Sequence, residues 1–382
     1  MSPSRKAAWI SSSLPGTGVA RFAEAWTGPL RNRPGFHKIY FNKTSGGLEE
    51  SSPGSAPLEL ARGFKGLGNS AFLLSLGRRV PRCDAYFVES QNLAFLRLPR
   101  ACIVVCDLFY LTHPNSLGEK LQAKVFYAGL DRFQSIMAIS HYTKSQLVDV
   151  LHIPPERIQV FPLAYDREVF RPGPADREKI LAEHGIDPRA KVVLHLSSGE
   201  RRKNFHGLMQ AVARLVPDIP EIVLVKAGRD LRGRSRAQAA AMAERLGLGK
   251  RVRYLGPMED RRLAELYRAA DCFAFPSLAE GFGLPALEAQ ACGCPTVTSD
   301  VTSLPDIAGP LARMVDPLDI PCLAEQIAGL LGDPGMRERE AEANRKWLTR
   351  FSWDPGVRYL EEFLGLPPSP SGPSSPGQSV SG

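Results

Sequence analysis

Short apolar runs recur along the chain, each stopping at glycine, proline or serine and each followed by a polar or helically spaced segment. In the first half they are Ala7–Ile10, Ala85–Val88, Ile103–Val105 and Phe133–Ser140. In the second half they are Val192–Ser197, Ile222–Gly228, Val252–Leu255, Cys272–Phe275 and Thr296-Val297. Runs this short and this continuous predict strands buried on both faces. Helical spacing follows several of them: Val19, Phe22 and Trp26 after the first, then segments from Lys144, over Gly207–Leu215 and over Val357–Leu364. Strands alternating with helices predict an α/β chain. Pro172-Gly173-Pro174 breaks the pattern and predicts a linker. Residues 41–70, rich in Gly, Ser and Pro, predict a long loop, and 367–382 have no apolar cluster and predict a disordered tail.

The most informative stretch is PSLAEGFGLPALEAQACGCPTV, residues 276–297. The strand Cys272–Phe275 stops at Pro276-Ser277. A loop with Glu280-Gly281-Phe282-Gly283 follows, and a helix opens at Leu284-Pro285, where proline's missing N–H costs nothing. Gly293 is placed to close that helix in a left-handed conformation, and Pro295 keeps it from resuming. A helix start exposes unpaired N–H donors and the positive end of the helix dipole, so it suits phosphate. Gly281 and Gly283 let a diphosphate approach the main chain. Glu280 and Glu288 flank the loop; beside a bound anion they would serve as acceptors for hydroxyls. A packed strand–helix turn with two surface glutamates is the alternative reading of the same residues.

Composition changes the picture in three ways. At 382 residues with 43% hydrophobic content the chain is long enough for two domains with cores. The longest apolar run, Ala101–Leu111, is broken by Asp107 and too short to span a bilayer, and Arg5-Lys6 followed only by Ala7–Ile10 does not make a signal peptide. Seven cysteines, an odd number, point to a reducing cytosol. The net charge of +8 lies entirely in residues 1–172, with 21 Lys+Arg against 13 Asp+Glu; the remainder has 27 of each. Its basic residues are scattered and no nucleic-acid motif accompanies them. Peripheral contact with an anionic membrane is the preferred use of that surplus, and a merely soluble basic surface is the alternative.

Residues 263–319 resemble the signature region of the retaining glycosyltransferases of family 4, whose two glutamates are separated by seven residues within EGFGLPxLEAxAxGxPV. LAELYRAADCFAFPS before it and SLPDIAGPLARMVDPLD after it are similar to the same family, as are PPERIQVFPLAYDREVF and Phe351-Ser352-Trp353. The resemblance implies an α/β GT-B fold: two Rossmann-like domains with parallel sheets facing across a cleft. On that frame residues 1–172 bind the acceptor and 173–350 the nucleotide sugar. Residues 351–366 form a helix crossing back to the first domain.

What the family does with its motifs carries over residue by residue. Gly16 and Gly18, in a loosened version of the family's first glycine loop, face the donor phosphates. Cys106-Asp107 matches a histidine–aspartate pair facing acceptor and sugar, with cysteine in the histidine's place. Lys203 matches a lysine that holds the diphosphate, while the arginine expected five residues earlier is Ser198; Arg201 or Arg202 then stands in for it. Gly256 and Met258 seat the base. Gly281, Phe282, Gly283 and Leu284 form the helix start, Glu288 accepts the ribose hydroxyls and Glu280 those of the sugar. His141 carries no assignment beyond a capping or solvent role. The implied function is transfer of a hexose from a nucleotide diphosphate sugar, GDP-mannose first, to a hydroxyl of a glycan or lipid-linked acceptor. Configuration is retained and neither metal nor cofactor is needed. Cys106 and Ser198 leave open a second reading, a nucleotide-sugar-binding protein or inactive partner subunit.

Overall fold

The computed structural model describes residues 6–11, 18–42, 47–51, 58–62, 80–114, 116–228 and 234–367. Two compact units emerge, one from residues 1–164 with 352–382 and one from 165–351. In the first, eight strands form one sheet: β1 (Ala7–Ser11), β2 (Phe36–Asn42), β3 (Gly47–Ser51), β4 (Leu58–Arg62), β5 (Ala85–Val88), β6 (Ala101–Val105), β7 (Ser135–Ala138) and β8 (Ile158–Val160), in the order β4-β3-β2-β1-β5-β6-β7-β8. From β2 through β8 neighbouring strands run parallel, and β1, β5, β6 and β7 are buried along their whole lengths. That is what uninterrupted apolar runs require when both faces are covered.

The sheet departs from the sequence reading at its other edge. β3 pairs antiparallel with β2 and with β4, so the first sheet is mixed rather than parallel and 41–70 is not one long loop. Antiparallel edge strands need only a period of two, and LELAR, residues 58–62, has it. The Gly/Ser/Pro content around it masks that short alternation.

The helix Asp354–Leu364 belongs to the first unit. Gly356 lies against Trp26, where a Cβ would come within 2.4 Å of the indole Nε1; Trp353 packs edge-on to the same ring at 6.0 Å; and Arg100 donates to the Phe363 carbonyl at 2.5 Å. The unit boundary at 164/165 precedes the proline-rich break at 172–174. Phe170, 1% exposed, packs on Tyr267 with 6.3 Å between rings, and so holds residues before the prolines to the second unit.

The second unit is a six-stranded, all-parallel sheet: β9 (Lys191–Leu196), β10 (Ile222–Ala227), β11 (Val252–Tyr254), β12 (Cys272–Phe275), β13 (Thr296–Ser299) and β14 (Arg313–Val315), ordered β11-β10-β9-β12-β13-β14. This is the doubly wound order in which the chain leaves β9 toward β11, then returns to its other side at β12. The crevice outside the carboxyl ends of β9 and β12 is therefore the topological switch point, where such sheets bind ligands. Among the described residues no helix is long and apolar enough to cross a membrane.

Candidate functional site

Two loops leave the switch point, one after β9 and one after β12, and their charged residues meet. The β9 loop ends in a 3-10 turn, Arg201–Lys203, followed by Asn204 at φ +51°, a conformation asparagine tolerates better than most residues. Asn204 Oδ1 accepts from the Gly207 N–H and so caps the helix Phe205–Leu215, while its Nδ2 donates to the Pro317 carbonyl at 2.7 Å. The Leu278 N–H donates to the Arg202 carbonyl at 2.7 Å and ties this turn to the β12 loop.

Lys203 Nζ then donates to Glu280 Oε1 at 2.6 Å, and Arg202 Nη1 donates to Glu280 Oε2 at 3.1 Å. Arg202 also pairs with Glu200 at 2.6 Å. Lys203 lies over the Phe275 ring at 5.0 Å. Glu280 is 5% exposed. Burial by itself pushes its carboxyl up, but Lys203 and Arg202 outweigh that and hold it below the ordinary carboxylate range. Its main chain is held too: the Glu280 N–H donates to Thr302 Oγ1 and Ser303 Oγ donates to the Glu280 carbonyl.

The helix Leu284–Ala291 starts next to this cluster. Gly283 has φ +99°, and a Cβ there would lie 2.5 Å from Leu304 Cδ2 and 2.9 Å from Ile307 Cδ1, so only glycine fits. No side chain caps this helix, and among the described residues nothing accepts from the N–H groups of Phe282, Gly283 or Leu284. The Phe282 ring turns away to pack edge-on to Phe351 at 6.2 Å. Three donors and the positive end of a helix thus remain available to an anion.

The other expected residues divide. Glu288, in the same helix, is 1% exposed rather than on the surface. Gly281 is buried, Ser198 is exposed, and Gly256 and Met258 follow β11 at the same edge of the sheet, exposed and half-buried respectively. The Gly256 carbonyl accepts from the Gly228 N–H. Within the protein, Lys203 and Arg202 both donate to Glu280.

In the first unit, Cys106-Asp107 follows β6. The Cys106 N–H donates to Gln91 Oε1, and its carbonyl accepts from Thr143 Oγ1 at 3.0 Å. Burial, with Asp107 and Glu89 adding to it, pushes the Cys106 thiol well above its usual value, so it is a neutral wall and not a base. Asp107 Oδ1 accepts from the Phe109 N–H, and its carbonyl accepts from Tyr127 Oη and Gln91 Nε2. Ser140 caps the helix His141–Leu151, and His141 is exposed. Gly18 opens the helix Gly18–Thr27; Gly16 lies outside the described residues.

Among the buried polar residues that local pattern does not single out, three stand out. Glu89, fully buried after β5, accepts from Ser11 Oγ at 2.8 Å and Trp9 Nε1 at 3.1 Å; a glutamate ending an apolar strand was its only signal. His195, buried in β9, donates from Nδ1 to the Ala274 carbonyl at 2.9 Å. Burial, with Lys226 and Lys203 adding to it, lowers its pKa to about 4, so it is neutral. Lys226, fully buried in β10, donates to the Ser197 carbonyl at 3.1 Å. Among the described residues no three His, Cys, Asp or Glu side chains gather as metal ligands.

Residues 176–347 match the model of the family described as glycosyl transferases group 1. O-antigen chain mannosyltransferase B of Escherichia coli is 31% identical over 263 residues, 68% of this chain and 68% of that protein. A D-inositol 3-phosphate glycosyltransferase of Corynebacterium urealyticum is 36% identical over 222 residues; the match covers 56% of this chain and about half of that one, 52%. Among solved structures, Anabaena Alr3699/HepE in complex with UDP and glucose aligns with TM-score 0.77 at 20% identity over 94% of this chain and 99% of its own. WaaG, a glycosyltransferase involved in lipopolysaccharide biosynthesis, aligns with TM-score 0.73 at 19% identity over 94% and 100%. At those identities the structural likeness shows the fold.

Proposed function

The chain belongs to the glycosyl transferases group 1, with the GT-B fold, and from that premise we propose that it is a retaining hexosyltransferase that works without a metal. The observation that carries the proposal is the uncapped helix start at Phe282–Leu284, set beside a buried Lys203–Glu280 pair joined by the half-buried Arg202 at the switch point. In this reading the donor diphosphate lies on those N–H groups. As the anomeric C–O bond breaks, negative charge grows on the leaving phosphate, where fixed dipoles and Lys203 oppose it without reorganising. Lys203 has N–H bonds beyond the one given to Glu280, so one cation serves both the carboxylate and the phosphate. Glu280 keeps lone pairs for sugar hydroxyls, Glu288 takes the ribose, and Gly256 and Met258 seat the base. The acceptor proton goes to the leaving phosphate.

GDP-mannose is the first donor choice, because the E. coli relative is named a mannosyltransferase. A UDP-hexose is the second, because the HepE structure holds UDP and glucose. The acceptor is a glycan or lipid-linked hydroxyl, met on the cytoplasmic face of an anionic membrane. Tyr110 (49% exposed), Leu117 (73%) and Leu121 (56%) support that placement, with exposed Lys120 and Lys124 on the same helix face as the two leucines. Apolar side chains interleaved with lysines suit an anionic surface.

Melting-temperature shifts against a panel of nucleotide sugars test the donor reading, since a bound donor stabilises by RT ln(1+[L]/Kd). A flat panel refutes it. With the best donor, proton NMR of the product's anomeric signal tests retention, and undiminished turnover in EDTA tests metal independence. The competing reading, a nucleotide-sugar-binding protein, predicts binding without transfer or hydrolysis; slow transfer abolished in Glu280→Ala rules that out. Pelleting with phosphatidylglycerol vesicles, and not with phosphatidylcholine vesicles, tests the membrane placement.

A further inference from the structure

Position 198 lacks the arginine that the resemblance expects, yet the peptide there is held from one side with unusual care. Lys226 reaches along the sheet from β10, and its Nζ donates to the Ser197 carbonyl at 3.1 Å. The Ser197 N–H donates to the Ala227 carbonyl at 3.2 Å. Gly228, at φ +95°, closes over the same carbonyl, and a Cβ there would lie 2.7 Å from it. Both polar ends of Ser197 are thus fixed toward β10.

A trans peptide sets its C=O and the following N–H on opposite sides. With the Ser197 carbonyl facing β10, the Ser198 N–H faces β12, on the side of the switch-point crevice that carries Glu280 and the open helix start. Ser198 is exposed, and among the described residues its N–H donates to nothing. Ser197 Oγ is buried beside it without a partner.

We propose that Lys226 is a positioning residue for the donor diphosphate: by gripping the Ser197 carbonyl it aims the Ser198 N–H at a phosphate oxygen. A main-chain donor held this way does part of the work of an arginine at 198, at lower cost in ordering, because no long side chain has to be immobilised. The inference rests on the transferase reading and deepens it.

The variant to make is Lys226→Met, which keeps the length and loses the donor. A hydrogen bond to a charged acceptor is worth about 10- to 100-fold in affinity, so Lys226→Met binds GDP or UDP weaker by that factor. The corresponding bare nucleoside is held within about twofold, because it has no phosphate for the Ser198 N–H. Equal loss for both ligands, or no loss for either, overturns the proposal. If the variant does not fold, the wild-type protein decides: the Ser198 amide proton should move downfield with the nucleoside diphosphate and stay in place with the nucleoside. An amide unmoved by the diphosphate overturns the proposal. A wild-type protein that binds no nucleotide sugar refutes the transferase reading and this inference together; one whose binding Lys226→Met retains in full refutes this inference alone.

Discussion

Replacing Lys203 by methionine removes one cation from a carboxylate that is almost fully covered. The side chains of Lys203 and Glu280 are 11% and 7% exposed, so solvent does little to replace the lost partner. Breaking a buried pair from one side costs about 3–5 kcal/mol, because the remaining charge is stranded. Arg202 stays on the other carboxylate oxygen at 3.1 Å but is more exposed, at 27%, which puts the expected loss near the lower end, about 3 kcal/mol. Adding Glu280→Gln removes the stranded charge, so the double variant should regain most of that stability, with a coupling of about 2–3 kcal/mol in the cycle. The assay is urea unfolding of the wild type, both single variants and the double variant at neutral pH. A second readout comes from pH. Glu280 is held below the ordinary carboxylate range, so its contribution is present above the unfolded-state value and disappears as pH falls through the folded-state value. The gap between wild type and Lys203→Met should therefore close in acid. Activity behaves differently: Lys203→Met and the double variant both lose roughly 100-fold or more in kcat, since stability regained without the ammonium does nothing for the leaving phosphate. Single-variant effects that add within about 0.5 kcal/mol would refute the claim that these residues form one coupled unit.

Three further outcomes follow from the same packing. Gly283→Ala combines a left-handed backbone with contacts of 2.5 and 2.9 Å to Leu304 and Ile307; it should destabilise by about 2–4 kcal/mol and weaken nucleotide binding, and wild-type behaviour in urea and in titration would contradict the close packing at the helix start. His195, lowered from 6.5 to about 4 by burial, is neutral when folded. It therefore costs up to roughly 3 kcal/mol as pH falls from 6.5 toward 4, and His195→Phe should flatten the melting profile over that range. Glu340 has the opposite sign: burial raises it from 4.5 to about 7, and its Oε2 is buried without a partner. Stability is then lost as pH rises from 4.5 through 7, so Glu340→Gln should melt higher than wild type at pH 8 and show no gain at pH 4.5.

Among the described residues nine of the fourteen strands were legible in the sequence, because a strand buried on both faces needs an unbroken apolar run, and all nine runs coincide with strands within a few residues. β2, β3, β4, β8 and β14 are not among those runs; β3 and β4 fall in the stretch 41–70 read as a loop, where an antiparallel pair needs only alternate residues. Glycine chemistry was equally local: Gly283 and Gly293 both have positive φ, and Leu284-Pro285 does open the helix. What the sequence could not determine was which charges meet. Lys203 and Glu280 are 77 residues apart, and nothing within either loop says that the lysine faces a carboxylate. Nor does it say that Lys226 ends on the Ser197 carbonyl, that His195 is neutral, or that Glu89 is buried between Ser11 and Trp9. Local pattern fixes φ, ψ and periodicity, which depend on neighbours in the chain. The distance between two side chains, and with it their charge state, depends on which strands lie side by side, and only the closed sheet decides that.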